Sequence, residues 1–306
     1  MSSIDIAIAA MRKLESVDFR VLSSLEVRMG LRRFVPLREI AKLSDIPENQ
    51  ASYHVSELHR LGLLMRRSGD YLGYTMNSAG YDCLALHALV QAGVIDALGK
   101  PLGVGKEADV YDALSPDGER LAVKFHRIGR TSFRDVKRKR AVEEGAHSLW
   151  LFRSRRAAER ELEGMTRAYA AGVATPRPVR QNRHALVMSV IEGSLLADAA
   201  AIESPRKTLD EIVANIRLAY GVAGIIHGDL SEYNIIMKTD THILLIDWPQ
   251  FVASDHPNAE ELLQRDLRNV CTFFHRRYGV TRSWKRVKSE IMKSATVSSP
   301  QPAEDR

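Results

Sequence analysis

His227-Gly228-Asp229-Leu230-Ser231-Glu232-Tyr233-Asn234, followed by the apolar run Ile235-Ile236-Met237, is the stretch on which the reading turns. An acid followed after four residues by an asparagine lets the carboxylate face an attacking hydroxyl or water while the amide oxygen holds a metal. Beyond a turn at Lys238 to Thr241, Ile243-Leu244-Leu245-Ile246-Asp247 reads as a buried strand that ends in an acid. A carboxylate there is costly unless it is paired or metal-bound. Asn234 and Asp247 together make a two-oxygen site for Mg2+.

Upstream, Gly103-Val104-Gly105-Lys106-Glu107-Ala108-Asp109-Val110-Tyr111 is followed by a turn at Ser115 to Glu119 and by Leu121-Ala122-Val123-Lys124. The order is strand, glycine-rich turn, strand, turn, strand. Glycines at 103 and 105 let a backbone approach phosphates closely. Alone the signal is weak, because Ala108 breaks the longer GxGxxG form and a hairpin with two turn glycines looks the same. Lys124 ends an apolar strand, where a cation needs an anionic partner, and phosphates of ATP supply one. A helix from about Arg155 to Ala171 offers Glu159, Glu161 and Glu163 as anchors for that lysine. A solvated helix face accounts for those glutamates that do not serve. Each piece has a structural explanation by itself. Their order along the chain points to phosphoryl transfer.

At 306 residues the chain suits two domains, since single cores stop growing near this size. With 45% hydrophobic and 27% charged residues it reads as an ordinary soluble globular protein. The net charge of +6 permits a polyanionic partner and equally a merely solubilising surface. Cys83 and Cys271 lie far apart and outside any metal-binding spacing, so neither a disulfide framework nor a zinc site is supported. No apolar window suits a signal peptide or a membrane span. A cytoplasmic protein is expected.

Before the glycine-rich turn, helical periodicity runs from Ile4 to Leu14 and from Phe19 to Leu31. Pro36 opens a short helix through Leu43, and a second follows from about Asn49 to Leu61, with Gly62 as its stop. Leu63 to Arg67 and Tyr71 to Thr75 then read as a hairpin around Ser68-Gly69-Asp70. That is the order of a winged helix. The outward face of its second helix carries Gln50, Ser52, Tyr53, Ser56, His59 and Arg60, able to reach bases or phosphates. Charge through residue 94 is close to neutral, which fits protein contact as well as nucleic acid.

The segments GVGKEADVY at 103–111, KFHRIGRTSFRDVKRKR at 124–140, HGDLSEYN at 227–234 and IDWPQFVASDHPNAEELLQRD at 246–266 resemble the RIO family of atypical kinases, in its subfamily with an N-terminal winged helix. The resemblance covers nearly the whole chain. It implies an α+β fold, an N-terminal winged helix-turn-helix domain followed by a truncated bilobal protein-kinase-like domain. The expected boundaries are a winged helix at 1–76, a connecting helix at 77–94, a kinase domain at 95–293 (lobes 95–190 and 191–293) and a disordered tail at 294–306.

The resemblance further implies an enzyme using ATP and Mg2+, with Mn2+ as an alternative ion. Gly103, Val104, Gly105, Lys106, Glu107 and Ala108 would cover the phosphates, and Lys124 would pair with Glu161. Adenine would lie against Met188, near the backbone of Ser189 and Ile191. Asp229 would be the catalytic acid and Asn234 with Asp247 the metal ligands, with Asp247 also the position of a phosphoaspartate. Its implied partners are a small-subunit ribosomal precursor and that particle's RNA, without a membrane, and the chain is expected to be a monomer. Two departures from the family pattern stand out: Ala108 where serine is usual, and Trp248 in place of phenylalanine.

From Asp247 to the tail there is room for about three short helices and no peptide-docking platform. ATP hydrolysis with autophosphorylation is therefore the expected activity. The basic run Arg127 to Arg140, which includes Thr131 and Ser132, is expected to form a loop over the nucleotide able to touch RNA. Arg276, Arg277, Arg282, Lys285, Arg286 and Lys288 form a second basic patch. Two other readings compete. One is a small-molecule kinase of the aminoglycoside or choline type, which needs a larger C-terminal pocket. The other is a DNA-binding regulator with a nucleotide-sensing lobe.

Overall fold

The computed structural model describes residues 1–69, 71–128, 146–199, 201–239 and 242–297. These residues divide into two compact units, one made of Met1–Ala158 (as far as described) with Gln181–Val187, the other of Glu159–Arg180 with the chain from Met188 on.

The first unit opens with α1 (Ser3–Met11) and α2 (Ser16–Met29), then β1 (Val35–Pro36), α3 (Leu37–Ser44) and α4 (Glu48–Arg60). The hairpin strands β2 (Leu64–Arg67) and β3 (Gly73–Met76) follow, and then α5 (Ser78–Gln91). Ser2 caps α1 by accepting from the Asp5 N–H while Asp5 accepts from Ser2 N, so two donors that a helix start leaves over are satisfied together. Pro36 caps α3 from outside rather than opening it. The three strands form an antiparallel sheet in the order β1-β3-β2, with Leu64 opposite Met76 and Val35 opposite Tyr74. This is a winged helix, with a core of Val21, Leu22, Leu25, Val55, Leu58, Tyr74 and Met76, each no more than 2% exposed.

The sequence presents α5 as a link between domains. In the structure it packs along α1 and buries Tyr81, Asp82, Cys83, Leu84, Ala85 and Leu86 in succession, on more than one face. A helix buried all round belongs to a core.

Strands β4 (Ala97–Val104), β5 (Ala108–Leu114) and β6 (Arg120–His126) come next, then helix α6 (Ala146–Ala170) and strands β7 (Pro178–Asn182) and β8 (Ala185–Ser189). Together the strands make one sheet in the order β4-β5-β6-β8-β7. β6 is buried from Leu121 to His126, including Lys124, as suits a central strand covered on both faces. The expected loop at 129–140, with Thr131 and Ser132, lies outside the described residues.

The second unit contains β9 (Ser194–Leu195), α7 (Pro205–Gly221), β10 (Ile225–Ile226), β11 (Ile235–Thr239), β12 (His242–Leu245), β13 (Val252–Ala253), α8 (Ala259–Tyr278) and α9 (Trp284–Val297). Where the sequence has room for about three short helices after Asp247, the described residues form two, one of 20 and one of 14 residues. The apolar stripe Leu263, Leu267, Val270, Phe274 continues unbroken for about three turns, and α8 packs on α7 and α9, so nothing stops it early. α9 also runs past Ser294, where the tail was expected to begin. Trp248 is fully buried and donates through Nε1 to Thr175 Oγ1 at 3.1 Å. Its indole fills core space while satisfying its one polar atom. Among the described residues, no helix is long and apolar enough to cross a membrane.

Candidate active site

In the first unit the β4–β5 register sets Gly103 opposite Val110 and Val104 opposite Asp109, so the turn between them is short. Gly105 N donates to Ala108 O at 2.8 Å and closes it. Residues 103–107 are exposed, and a Cβ on Gly103 would meet nothing within 4 Å. The fold itself therefore does not demand glycine at 103; the absence of a side chain leaves the backbone bare for a ligand. Lys124 projects from β6 opposite Val110 and is 8% exposed.

In the second unit, α6 carries the three candidate glutamates. Only Glu161 is buried, at 1% exposure, while Glu159 is half-buried and Glu163 exposed. Met188 is buried at the end of β8. Ser189 N donates to Arg177 O at 2.9 Å and its hydroxyl accepts from Arg177 N at 3.0 Å. Pairing thus uses the Ser189 N–H, which leaves its carbonyl as the group for an incoming donor. Ile191 is half-buried just beyond.

The segment 227–234 is built around one buried acid. Asp266 on α8, 1% exposed, accepts from Gly228 N at 2.8 Å and from Leu230 N at 3.0 Å. Burial raises its pKa above the ordinary value, opposed by the nearby His227 and by the two N–H donors. Asn269 Nδ2 donates to Leu230 O at 3.1 Å, and Arg265 donates to Gly228 O. Gly228 has φ of +79°, and a Cβ there would lie 2.6 Å from Gln250 O, so no other residue fits. His227 Nε2 lies 2.9 Å from Ile246 O. The loop is fixed at both ends while Asp229 between them stays exposed.

Register gathers the remaining groups. Ile235 sits opposite Leu245, and Ile246 N donates to Asn234 O at 3.0 Å. Asn234 and Asp247 therefore leave the same end of the β11–β12 ladder. Asn234 Nδ2 donates to Asp229 O at 2.8 Å, which fixes the amide and turns Oδ1 into its remaining acceptor. Asp247 has φ of +70°, a left-handed conformation that aspartate tolerates better than most residues. Asp229, Asn234 and Asp247 are thus brought together by backbone pairing within one unit. Their donors are hard oxygens, the set Mg2+ takes when phosphates complete its shell. No cluster of three or more His, Cys, Asp or Glu able to hold a metal occurs among the described residues.

Sequence reasoning missed Asp266 as the anchor of the loop. It also placed Arg127 in the exposed basic loop. Arg127 is 3% exposed and paired with Asp82 at 2.6 Å and with Asp109 at 3.0 Å, because it follows the central strand by one residue and turns inward. The second basic patch is likewise less available than its composition suggests. Arg282 pairs with Asp210, Arg286 with Glu290 and Lys288 with Glu260. On the winged helix, Tyr53, Ser56, His59 and Arg60 are exposed as expected, though Arg60 is paired with Glu57.

A fixed Asp–Asn loop beside a strand-end aspartate, with a buried strand lysine and a bare glycine turn elsewhere in the chain, is the kit of a kinase-like domain. The chain belongs to the RIO family. The family's description "RIO domain" matches residues 109–287, and "Rio2, N-terminal" matches residues 11–92. The RIO-type serine/threonine-protein kinase Rio2 of Methanocaldococcus jannaschii is 39% identical over 252 residues, covering 80% of this chain and 92% of that protein. Kinases named rio2 in Dictyostelium discoideum and RIO2 in Caenorhabditis elegans are 34% and 37% identical over 91% and 89% of this chain. The chain spans about half the length of those two relatives, 54% and 51%. Among solved structures, the Rio2 kinase-ADP/Mg2+-phosphoaspartate complex from Chaetomium thermophilum superposes with a TM-score of 0.79 at 30% identity, covering 95% of this chain and 93% of that one.

Proposed function

We propose that this chain is a Mg2+-dependent ATPase and autophosphorylating kinase of the serine/threonine type, whose nucleotide state governs its attachment to a precursor of the small ribosomal subunit. The observation that carries the chemistry is the β11–β12 register, which sets Asn234 beside Asp247 while Asn234 holds the Asp229 carbonyl. The fold likeness to a protein bound to ADP and Mg2+ supports the same reading.

In this reading Asp229 accepts the proton of the attacking hydroxyl or water as the γ-phosphoryl group of ATP leaves ADP. Asn234 Oδ1 and the Asp247 carboxylate would hold Mg2+, which would offset charge on the phosphates. Lys124 neutralises phosphate charge, and the bare backbone of residues 103–108 covers the phosphates. Adenine lies along Met188, with the Ser189 carbonyl and the Ile191 backbone as its hydrogen-bonding edge. The carboxylate of Asp247 also stands as a phosphate acceptor, as the name of the Chaetomium complex states for that protein. A cytoplasmic monomer is the form proposed, with the winged helix and the exposed basic residues facing the particle and its RNA.

Single-turnover assays test this. Radiolabelled ATP should be hydrolysed, with label appearing on the protein, at a rate that generic peptides and small acceptors do not raise. A free peptide or small molecule phosphorylated faster than ATP is hydrolysed without it would overturn the reading.

A further inference from the structure

Arg127 lies directly after β6 and is nearly inaccessible, yet no role in the reaction has been given to it. Its backbone N–H donates to Glu107 O in the glycine turn at 2.6 Å. Its Nε donates to Asp109 Oδ2, at the start of β5, at 3.0 Å. The other side of the guanidinium holds Asp82 of α5 in a two-pronged grip, Nη1 to Oδ1 at 2.6 Å and Nη2 to Oδ2 at 3.0 Å. Nη2 also reaches Ser3 Oγ of α1 at 3.3 Å. His184, fully buried on the turn between β7 and β8, sits with Nε2 2.7 Å from Asp82 Oδ1 and 3.1 Å from Arg127 Nη1. One residue therefore joins α1 and α5 to the glycine turn and to β5, the strand that leaves it.

Such a grip needs a planar fork. Arginine offers five donors in fixed directions and can hold one carboxylate with two parallel bonds while a third bond leaves along Nε. Lysine offers one point charge and could satisfy one of the two acids. A salt bridge that only strengthened the core would not need to reach the turn. This one takes hold of it at Glu107 through the main chain, inside the stretch that would cover the phosphates, and at Asp109 through the side chain, one residue beyond that stretch. The exposed tip from Gly103 to Lys106 is thereby left to move only about a tethered flank.

We propose that Arg127 is a positioning residue for the nucleotide: it fixes the glycine turn against Asp82 of α5, so that affinity for the phosphates depends on the winged-helix domain. The inference rests on the turn being the phosphate-covering element of the proposed function. It assigns the N-terminal domain a part in nucleotide binding in addition to any contact with a particle.

The test is calorimetric titration of ADP with Mg2+ into the full chain, for wild type, Arg127→Lys, Arg127→Met and Arg183→Met. Arg183 provides the control. It pairs with Glu26 of α2 at 2.7 Å and reaches Leu84 O of α5 from the β7–β8 turn, so it too holds α5 without touching the glycine turn. Arg127→Met should weaken ADP binding roughly tenfold and Arg127→Lys about threefold, since small misplacements of a binding group carry large penalties. Arg183→Met should stay within about twofold of wild type even where its melting temperature falls as far. Turnover at saturating ATP should be nearly unchanged in Arg127→Lys, with the loss confined to KM, because Arg127 touches no reacting atom. Should Arg127→Met fail to fold, Arg127→Lys decides alone, as it keeps the buried charge. Wild type that binds ADP while both Arg127 variants bind equally well overturns this inference only, as does an equal loss in Arg183→Met. Wild type that binds no ADP overturns the reading of the turn itself.

Discussion

Asp229→Asn is expected to lower single-turnover ATP consumption by roughly three orders of magnitude while ADP binding stays within about threefold of wild type, because general-base removal costs 10²- to 10⁴-fold and leaves ground-state contacts alone. The geometry makes this a clean substitution. The loop takes its shape from main-chain groups: Gly228 N and Leu230 N donate to Asp266, and the Asp229 carbonyl accepts from Asn234. None of these bonds uses the Asp229 carboxylate, which is exposed. An amide in its place keeps the fold and the shape and loses the proton acceptor. Rapid-quench measurement of labelled phosphate release settles the point, and a variant that turns over ATP within tenfold of wild type would remove Asp229 from the chemistry.

Asp82→Ala should be the most destabilising single change to the first unit, by about 3–5 kcal/mol, since it strands the Arg127 guanidinium in the interior with only Asp109 to face. Burial alone would push the Asp82 carboxyl up, but the Arg127 charge and the contact with His184 prevail and hold it down at about 2. A folded pKa below the unfolded value near 3.8 means that the stabilisation is complete above about pH 4 and is lost as pH falls towards 2. That shift corresponds to on the order of 2 kcal/mol. Burial likewise keeps His184 below its ordinary range. Urea unfolding at pH 7, 4 and 3 should show wild type weakening over the acid interval and Asp82→Asn, already weakened, changing less. Loss of under 1 kcal/mol in Asp82→Ala would show that the network carries little.

Much of this was legible because local chemistry and local geometry agree. The Asp229–Asn234 spacing, the strand that ends at Asp247, and the hairpin turn between β11 and β12 lie within 21 consecutive residues, and the antiparallel register that joins them follows from so short a connection. The winged helix was readable for the same reason, its helices marked by apolar periodicity and its hairpin by Ser68-Gly69. Periodicity also separates Glu161 from Glu159 and Glu163, because two residues along a helix turn it by about 200° and Glu161 falls on the buried stripe with Ala158, Met165 and Ala168.

What escaped was long-range. Asp266 acts on residues 36 and 38 positions earlier in the chain. A signal did exist, since an acid sits in the stripe Leu263, Leu267, Val270, Phe274 that faces the core, and a buried acid must be answered by donors. Asp82 gave the same signal inside the apolar run of α5, but its partner Arg127 was masked by the cationic residues that follow it. Charge density suggested a loop. The alternation of the central strand, carried one residue further, buried it instead.

We propose that Lys124 and Asp247 each act on a Mg2+-bearing nucleotide. Titration of ADP into the full chain, with Mg2+ and again with EDTA, tests it most directly, alongside Lys124→Met from the first unit and Asp247→Asn from the second. The account predicts saturable binding that needs the metal and that each substitution weakens at least about tenfold, the usual scale for a lost charged contact. Binding indifferent to EDTA, or unchanged in either variant, would contradict it.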